Sequence, residues 1–304
     1  MNQVDHLFDL LKERLPQAIV RLHEPLAKRT TLRVGGCADV YVEPSNEAEL
    51  AEAIQCSRRQ EIPFMVLGRG SNLLVRDGGF RGVVICLSQP AFSAIDAYGA
   101  TLRCGAGARL KAVAAKAREL NIGGLEFLDG IPGSVGGALR MNAGAMGSAT
   151  FEVVTQVRFM DWSGKVEERA VADVPVEYRS CPLFKTNIVL SATFQGQPDS
   201  KASIAKRAEE FNKTRWRSQP KEPSAGCIFK NPSKTTPAGR LIDELGLKGA
   251  KRGGAAVSSV HGNFIINEGS ATAADVLELI AFIKSRAKAE RGIELREEVE
   301  IIGE

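Results

Sequence analysis

Apolar positions recur with two different spacings along the chain. From 46 to 59, Leu50, Ala53 and Ile54 repeat at helical intervals behind a candidate N-cap at Ser45 or Asn46, which predicts a short helix. Pro63-Phe64-Met65-Val66-Leu67 is then a compact apolar run ending at Gly68, the pattern of a buried strand entering a tight turn. Further strands are predicted over 83–87, 101–104 and 188–194, and a helix over 110–120 that stops before Asn121-Ile122-Gly123-Gly124. The stretches 153–161 and 166–171, joined by Trp162-Ser163-Gly164-Lys165, predict a β-hairpin. From Lys201 the composition changes. A charged helix is predicted over 205–217, a glycine- and lysine-rich stretch runs over 239–254, and a new domain is expected near the change. A long helix over 271–291 follows a cap at Ser270 or Thr272, and Val299-Glu300-Ile301-Ile302 closes the chain as a strand. Helix and strand are mixed throughout, so the expected class is α+β, with no internal repeat.

Composition narrows the function classes. At 304 residues with 44% hydrophobic positions, two or three packed units are expected. No stretch approaches the roughly 18 uninterrupted apolar residues of a spanning helix. Met1-Asn2-Gln3-Val4-Asp5-His6 also lacks a basic-then-apolar export pattern, so a cytoplasmic protein with no membrane partner is expected. The six cysteines, Cys37, Cys56, Cys86, Cys104, Cys181 and Cys227, include no Cys-x-x-Cys pair, and His6, His23 and His261 lack ligand spacing. No metal site is expected. A net charge of +4 favours anionic small molecules, but with 6% aromatic residues and no basic stripe nucleic acid is not an expected partner.

Two glycine-rich segments carry the candidate chemistry. Gly68-Arg69-Gly70-Ser71-Asn72-Leu73 is neither a dinucleotide G-x-G-x-x-G motif nor a phosphate-binding P-loop. Its backbone N–H groups could form an anion-binding nest, with Ser71 and Asn72 adding side-chain donors, or it could be a plain tight turn. Gly130-Ile131-Pro132-Gly133-Ser134-Val135-Gly136-Gly137-Ala138, followed by Met141-Asn142-Ala143-Gly144-Ala145-Met146-Gly147, suits close backbone approach to a planar ligand or a packed crossover.

Together these segments resemble the FAD-binding motifs of the UDP-N-acetylenolpyruvoylglucosamine reductase family. Thr31-Leu32-Arg33-Val34-Gly35-Gly36 is similar to the family's N-terminal signature. The similarity continues through Tyr178-Arg179-Ser180, Ser224-Ala225-Gly226-Cys227-Ile228-Phe229-Lys230-Asn231-Pro232, Ala238-Gly239-Arg240-Leu241-Ile242, His261-Gly262-Asn263-Phe264-Ile265 and Glu298-Val299. The resemblance implies a FAD-binding domain of the vanillyl-alcohol-oxidase (PCMH) type and a C-terminal α+β substrate-binding domain. The expected division is 1–66 with 293–304, then 67–200, then 201–292 for substrate. Phe184-Lys185-Thr186 runs directly into Ile188-Val189-Leu190 with no inserted loop, which resembles the family's compact second type.

Membership implies NADPH as hydride donor, non-covalent FAD and a UDP-sugar-nucleotide substrate whose enolpyruvyl ether is reduced, in a monomer. By motif, the implied FAD contacts are Arg33, Gly68, Arg69, Gly70, Ser71, Asn72, Leu73, Gly130, Ile131, Pro132, Gly133, Ser134, Gly136, Gly137, Asn142, Ala143, Gly144 and Arg215. The implied substrate contacts are Tyr178, Lys230, Asn231, Arg240, Lys248, His261 and Asn263. The implied catalytic residues are Arg179, Cys227 and Glu298. Arg179 offers a forked, permanently cationic partner to a carboxylate. Glu298 must be neutral or paired with Arg179, because an isolated carboxylate would repel a developing anion. Cys227 stands where many members carry serine. A thiol, with an ordinary pKa of about 8.5, is a stronger acid than a hydroxyl, although a small buried thiol is the plainer reading. Rival readings are an oxidase of the same fold with covalent FAD, against which neither glycine-rich segment holds a His or Cys, and a non-catalytic paralogue.

Overall fold

The computed structural model describes residues 3–233 and 235–304. Met1 and Asn2 of the expected first segment, and Lys234 of the expected substrate domain, lie outside the described residues. The chain forms two compact units: Met1–Leu22, Val40–Arg69 and Gly82–Lys213 in the first, His23–Asp39, Gly70–Arg81 and Thr214–Glu304 in the second.

In the first unit, helices Gln3–Arg14 and Glu47–Arg59 contribute Leu7, Leu11, Leu50 and Ile54 to a core shared with strand residues Val83, Ile85, Leu102 and Phe159. Asn46 is the N-cap of the second helix, its side chain accepting from the Glu49 N–H. Strand Phe64–Leu67 pairs in parallel with Val83–Cys86. It lies at the edge of a four-stranded sheet whose other members are Ile19–Pro25, Cys37–Glu43 and Phe80–Cys86. The predicted hairpin is present: Val154–Asp161 and Val166–Ala170 are antiparallel, and Val154–Asp161 also pairs with Asn187–Gln195. Asn187–Gln195 starts directly after the turn Pro182–Lys185, so no loop is inserted there.

The second unit has its own core, in which Leu32, Val34 and Leu74 join Phe229, Ile242, Val257, Ile265, Leu279 and Ile283. Ser224–Cys227, Phe264–Asn267, Ala255–Val257 and Lys251–Arg252 form its sheet. Closing strand Glu300–Ile302 runs parallel to Leu73–Val75. Helix Ala273–Arg291 starts at a Thr272/Asp275 capping box and ends at left-handed Gly292.

The division departs from the expected boundaries. Residues 3–22 and 40–66 share one core with the expected 67–200 segment, and closing residues 293–304 belong with 214–292. The second division falls at 213/214, inside helix Lys201–Ser218, which is longer than the predicted 205–217. Composition marks a change near Lys201, but burial of the apolar face decides which core a helix residue joins.

Candidate active site

In the first unit the two glycine-rich segments meet. A Cβ on Gly68 would lie 2.8 Å from Ser134 Oγ and 3.9 Å from Gly137 Cα. Ser134 is buried, whereas Gly68 and Arg69 are exposed. The turn into helix Val135–Arg140 is pinned by backbone bonds: Val135 and Gly136 donate their N–H groups to the Ala108 and Ala106 carbonyls at 2.9 and 2.8 Å, and Gly133 donates to Ile131. Gly137 would meet only Ser134 Oγ at 3.6 Å if given a Cβ, and Gly130 only Ala145 at 3.5 Å. Protein packing does not demand glycine at these two positions. A side chain there would fill an open cradle, which fits the close approach of a flat ligand such as FAD. Ile131 is buried and Pro132 exposed on the same loop.

Further along, Asn142, Met146 and Arg179 all have positive φ, +39°, +54° and +56°. Left-handed non-glycine residues concentrate where function holds the backbone in place. The Arg179 guanidinium sits beside Gly144, with Nη1 3.2 Å from the place a Cβ there would take, and 5.3 Å from the exposed Tyr178 ring. The Ala143 carbonyl accepts from both the N–H and the hydroxyl of Thr150. Sequence reasoning did not single out Ser180, whose hydroxyl is buried with no partner among the described residues.

In the second unit, Gly70 is buried with φ +60°, and its glycine identity answers the protein itself: a Cβ would strike the Arg29 carbonyl at 2.5 Å and Thr30 Cα at 2.7 Å. Its carbonyl accepts from the Thr31 N–H. Arg33 is exposed at φ +60°, and the buried Asn267 amide grips the Leu32 and Arg33 carbonyls. Leu73 is buried at the start of its strand, and Ser71 is half-buried, its carbonyl 3.9 Å from the place a Cβ on Gly226 would take.

Cys227 and Glu298 lie on paired segments. Ser224 pairs with Ile266 and Cys227 with Phe264, so one extra residue bulges out, and Gly226 takes φ +77°. Such a bulge re-aims the following side chain. The Ile228 carbonyl then accepts from the Glu298 N–H at 2.7 Å, the Lys230 N–H donates to Arg296, and Asn72 Nδ2 donates to the Glu298 carbonyl at 3.1 Å. Of the neighbouring glutamates, Glu297 is ion-paired with Lys284 at 2.7 Å. Cys227 is half-buried. Burial pushes the Cys104 thiol up to about 12 and raises those of Cys56 and Cys181.

Several expected ligand contacts are taken up by the fold. Asn263 is 3% exposed; its carboxamide bonds both the N–H and the carbonyl of Phe229, at 2.9 and 2.8 Å. Asn231 Oδ1 accepts from the Ala238 N–H at the start of helix Ala238–Glu244. Asn72 and Asn142 likewise spend side-chain donors on backbone carbonyls. A carboxamide matches a peptide group donor for acceptor, so buried backbone competes with any ligand for it. Arg240 pairs with Glu244 and Lys248 with Asp243, both at 2.7 Å, on exposed surface. His261 accepts the Asn263 N–H at Nδ1, and burial, then the Lys248 charge, lowers its pKa, favouring a neutral ring with the proton on Nε2. Lys230 is half-buried, and Arg215 packs against Trp216 in the last turn of its helix. Among the described residues no cluster of His, Cys, Asp and Glu could hold a metal ion, and no helix is long and apolar enough to cross a membrane.

Comparison with known proteins gives matching findings. A FAD-binding-domain family model matches residues 38–169, and the C-terminal-domain model of UDP-N-acetylenolpyruvoylglucosamine reductase matches 219–302. A protein of that name from Syntrophus aciditrophicus is 42% identical over 301 residues, 97% of this chain and 96% of its own. Another from Clostridium botulinum is 40% identical over the whole of both chains. The crystal structure of the Thermus caldophilus reductase is 36% identical with a TM-score of 0.81, covering 94% of this chain and 99% of its own.

Proposed function

The chain belongs to the UDP-N-acetylenolpyruvoylglucosamine reductase family, and from that premise we propose how its own residues carry out the reaction. The protein is an FAD-dependent oxidoreductase with an α+β FAD-binding domain of the vanillyl-alcohol-oxidase type and a C-terminal substrate-binding domain. It reduces the enolpyruvyl ether of UDP-N-acetylenolpyruvoylglucosamine to UDP-N-acetylmuramate, a peptidoglycan precursor, with NADPH as reductant. A monomer working in the cytoplasm is part of the same proposal.

FAD, when bound, supplies hydride transfer from NADPH to C3 of the enol ether. Gly68, Gly130 and Gly137 would let the backbone approach it, with Arg33 and Arg69 as exposed cations for its diphosphate. Arriving hydride leaves negative charge on C2 and the attached carboxylate. Arg179 holds that carboxylate, and fixed positive charge at a developing anion is worth roughly 3–4 kcal/mol of barrier. The Cys227 thiol donates the proton that C2 requires, aimed by the Gly226 bulge. Glu298, on the segment bonded to Ile228, is protonated or ion-paired so that it does not oppose the charge.

The observation that supports this assignment is the bond from the Glu298 N–H to the Ile228 carbonyl, which holds Glu298 opposite the residue after Cys227. Stopped-flow absorbance at the flavin band tests it. In Cys227→Ala, reduction by NADPH should proceed as in the wild type, while reoxidation by the enolpyruvyl sugar nucleotide slows by at least roughly a hundredfold. Reoxidation at the wild-type rate would remove Cys227 from the mechanism.

A further inference from the structure

Arg179 is the third residue of a four-residue turn, 177–180, whose ends exchange backbone hydrogen bonds. The Glu177 N–H donates to the Ser180 carbonyl at 2.9 Å, and the Ser180 N–H donates to the Glu177 carbonyl at 3.3 Å. Arg179 has φ +56°, whereas Tyr178 is not among the positive-φ residues. A turn left-handed only at its third residue ordinarily carries glycine or asparagine there. Such turns also match the strand twist of a two-residue hairpin poorly. An arginine in that position is strained and persists only when surrounding contacts over-determine it.

Two such contacts come from the end of helix Val135–Arg140. Asn142 Nδ2 donates at 3.2 Å to the Glu177 carbonyl, the group that closes the turn. On the far side of the turn, the Cys181 N–H donates to the Arg140 carbonyl at 2.9 Å. Asn142 is itself fixed at φ +39°, with its N–H donated to Leu139 at 3.2 Å and its Oδ1 accepting from the Phe151 N–H at 3.4 Å. Both ends of its carboxamide are thus engaged within the protein.

From these contacts we infer that Asn142 is a positioning residue for Arg179, holding the strained turn that presents the guanidinium. Its side chain serves the arginine-bearing loop. The inference rests on the reading of Arg179 as the cation for the substrate carboxylate.

Asn142→Asp tests it, because it keeps the size and the acceptor for Phe151 but removes the donor to Glu177 and sets a carboxylate oxygen against that carbonyl. In the FAD-loaded enzyme, reoxidation by the enolpyruvyl sugar nucleotide should slow roughly tenfold to a hundredfold, and by at least about tenfold more than reduction by NADPH. Amide exchange at Ser180 should accelerate. In an Arg179→Ala background the same change should produce no further slowing, since it acts through the missing side chain. Should Asn142→Asp fail to fold, Asn142→Ser carries the same expectations. Wild-type reoxidation in the single variant, or equal slowing with and without Arg179, overturns the positioning role. Wild-type reoxidation in Arg179→Ala alone would overturn the reading of Arg179 instead.

Discussion

The Ser180 hydroxyl is buried without a partner among the described residues, one position after the strained Arg179. A buried hydroxyl left unsatisfied costs about 1–3 kcal/mol. Ser180→Ala should therefore leave the stability of the ligand-free protein unchanged or raise it by about 1 kcal/mol in urea unfolding; a loss of more than about 1 kcal/mol would mean that the hydroxyl is satisfied. At the candidate site the sequence narrows residue roles where chemistry restricts the choice, as at Arg179, Cys227 and the open glycines. Asparagines are less restricted, because one carboxamide can bind a ligand or clamp a peptide. Asn72, Asn142, Asn231 and Asn263 all have backbone partners. Gly70 shows the same limit, since its missing side chain makes room for Arg29 and Thr30.

Among the elements, the long helix Ala273–Arg291 shows what local sequence specifies and what it omits. The Thr272 cap was within reach of the sequence, since a threonine followed three residues later by an acid satisfies two otherwise orphaned N–H groups. Asp77, nearly two hundred positions earlier, supplies a second cap that no local pattern signals: its carboxylate accepts from the Ala273 and Ala274 N–H groups at 2.8 and 2.9 Å. Its negative charge also favours the helix N-terminus. Asp77→Ala should lower stability by about 1–2 kcal/mol, read as a reduced urea midpoint at constant slope, while Asp77→Asn should recover part of the loss. The bulge at Gly226 was equally silent in sequence, because it is defined by register against Phe264–Asn267. The hairpin over 154–170 was legible, its strands and turn being contiguous.

For the whole molecule, the absence of His and Cys from both glycine-rich segments gives a direct expectation. The flavin should pass entirely into the supernatant on acid precipitation, and FAD at a hundred times its dissociation constant should stabilise the folded state by about 2.7 kcal/mol, raising the melting temperature. Yellow colour retained in the precipitate would indicate a covalent link. The α+β class, the order of the motifs and the longer helices and strands were written in the sequence, because periodicity and turn chemistry act over a few residues. The family could be read as well, since its signatures are short and contiguous. Tertiary structure alone decided which stretches share a core, placing 23–39, 70–81 and 214–304 together and joining 3–22 and 40–69 to 82–213. It also brought Glu298 to Ile228, the residue after Cys227, through one hydrogen bond across seventy residues of chain. Burial and hydrogen bonding are satisfied by whatever partner is near in space, and distance along the chain does not fix that partner.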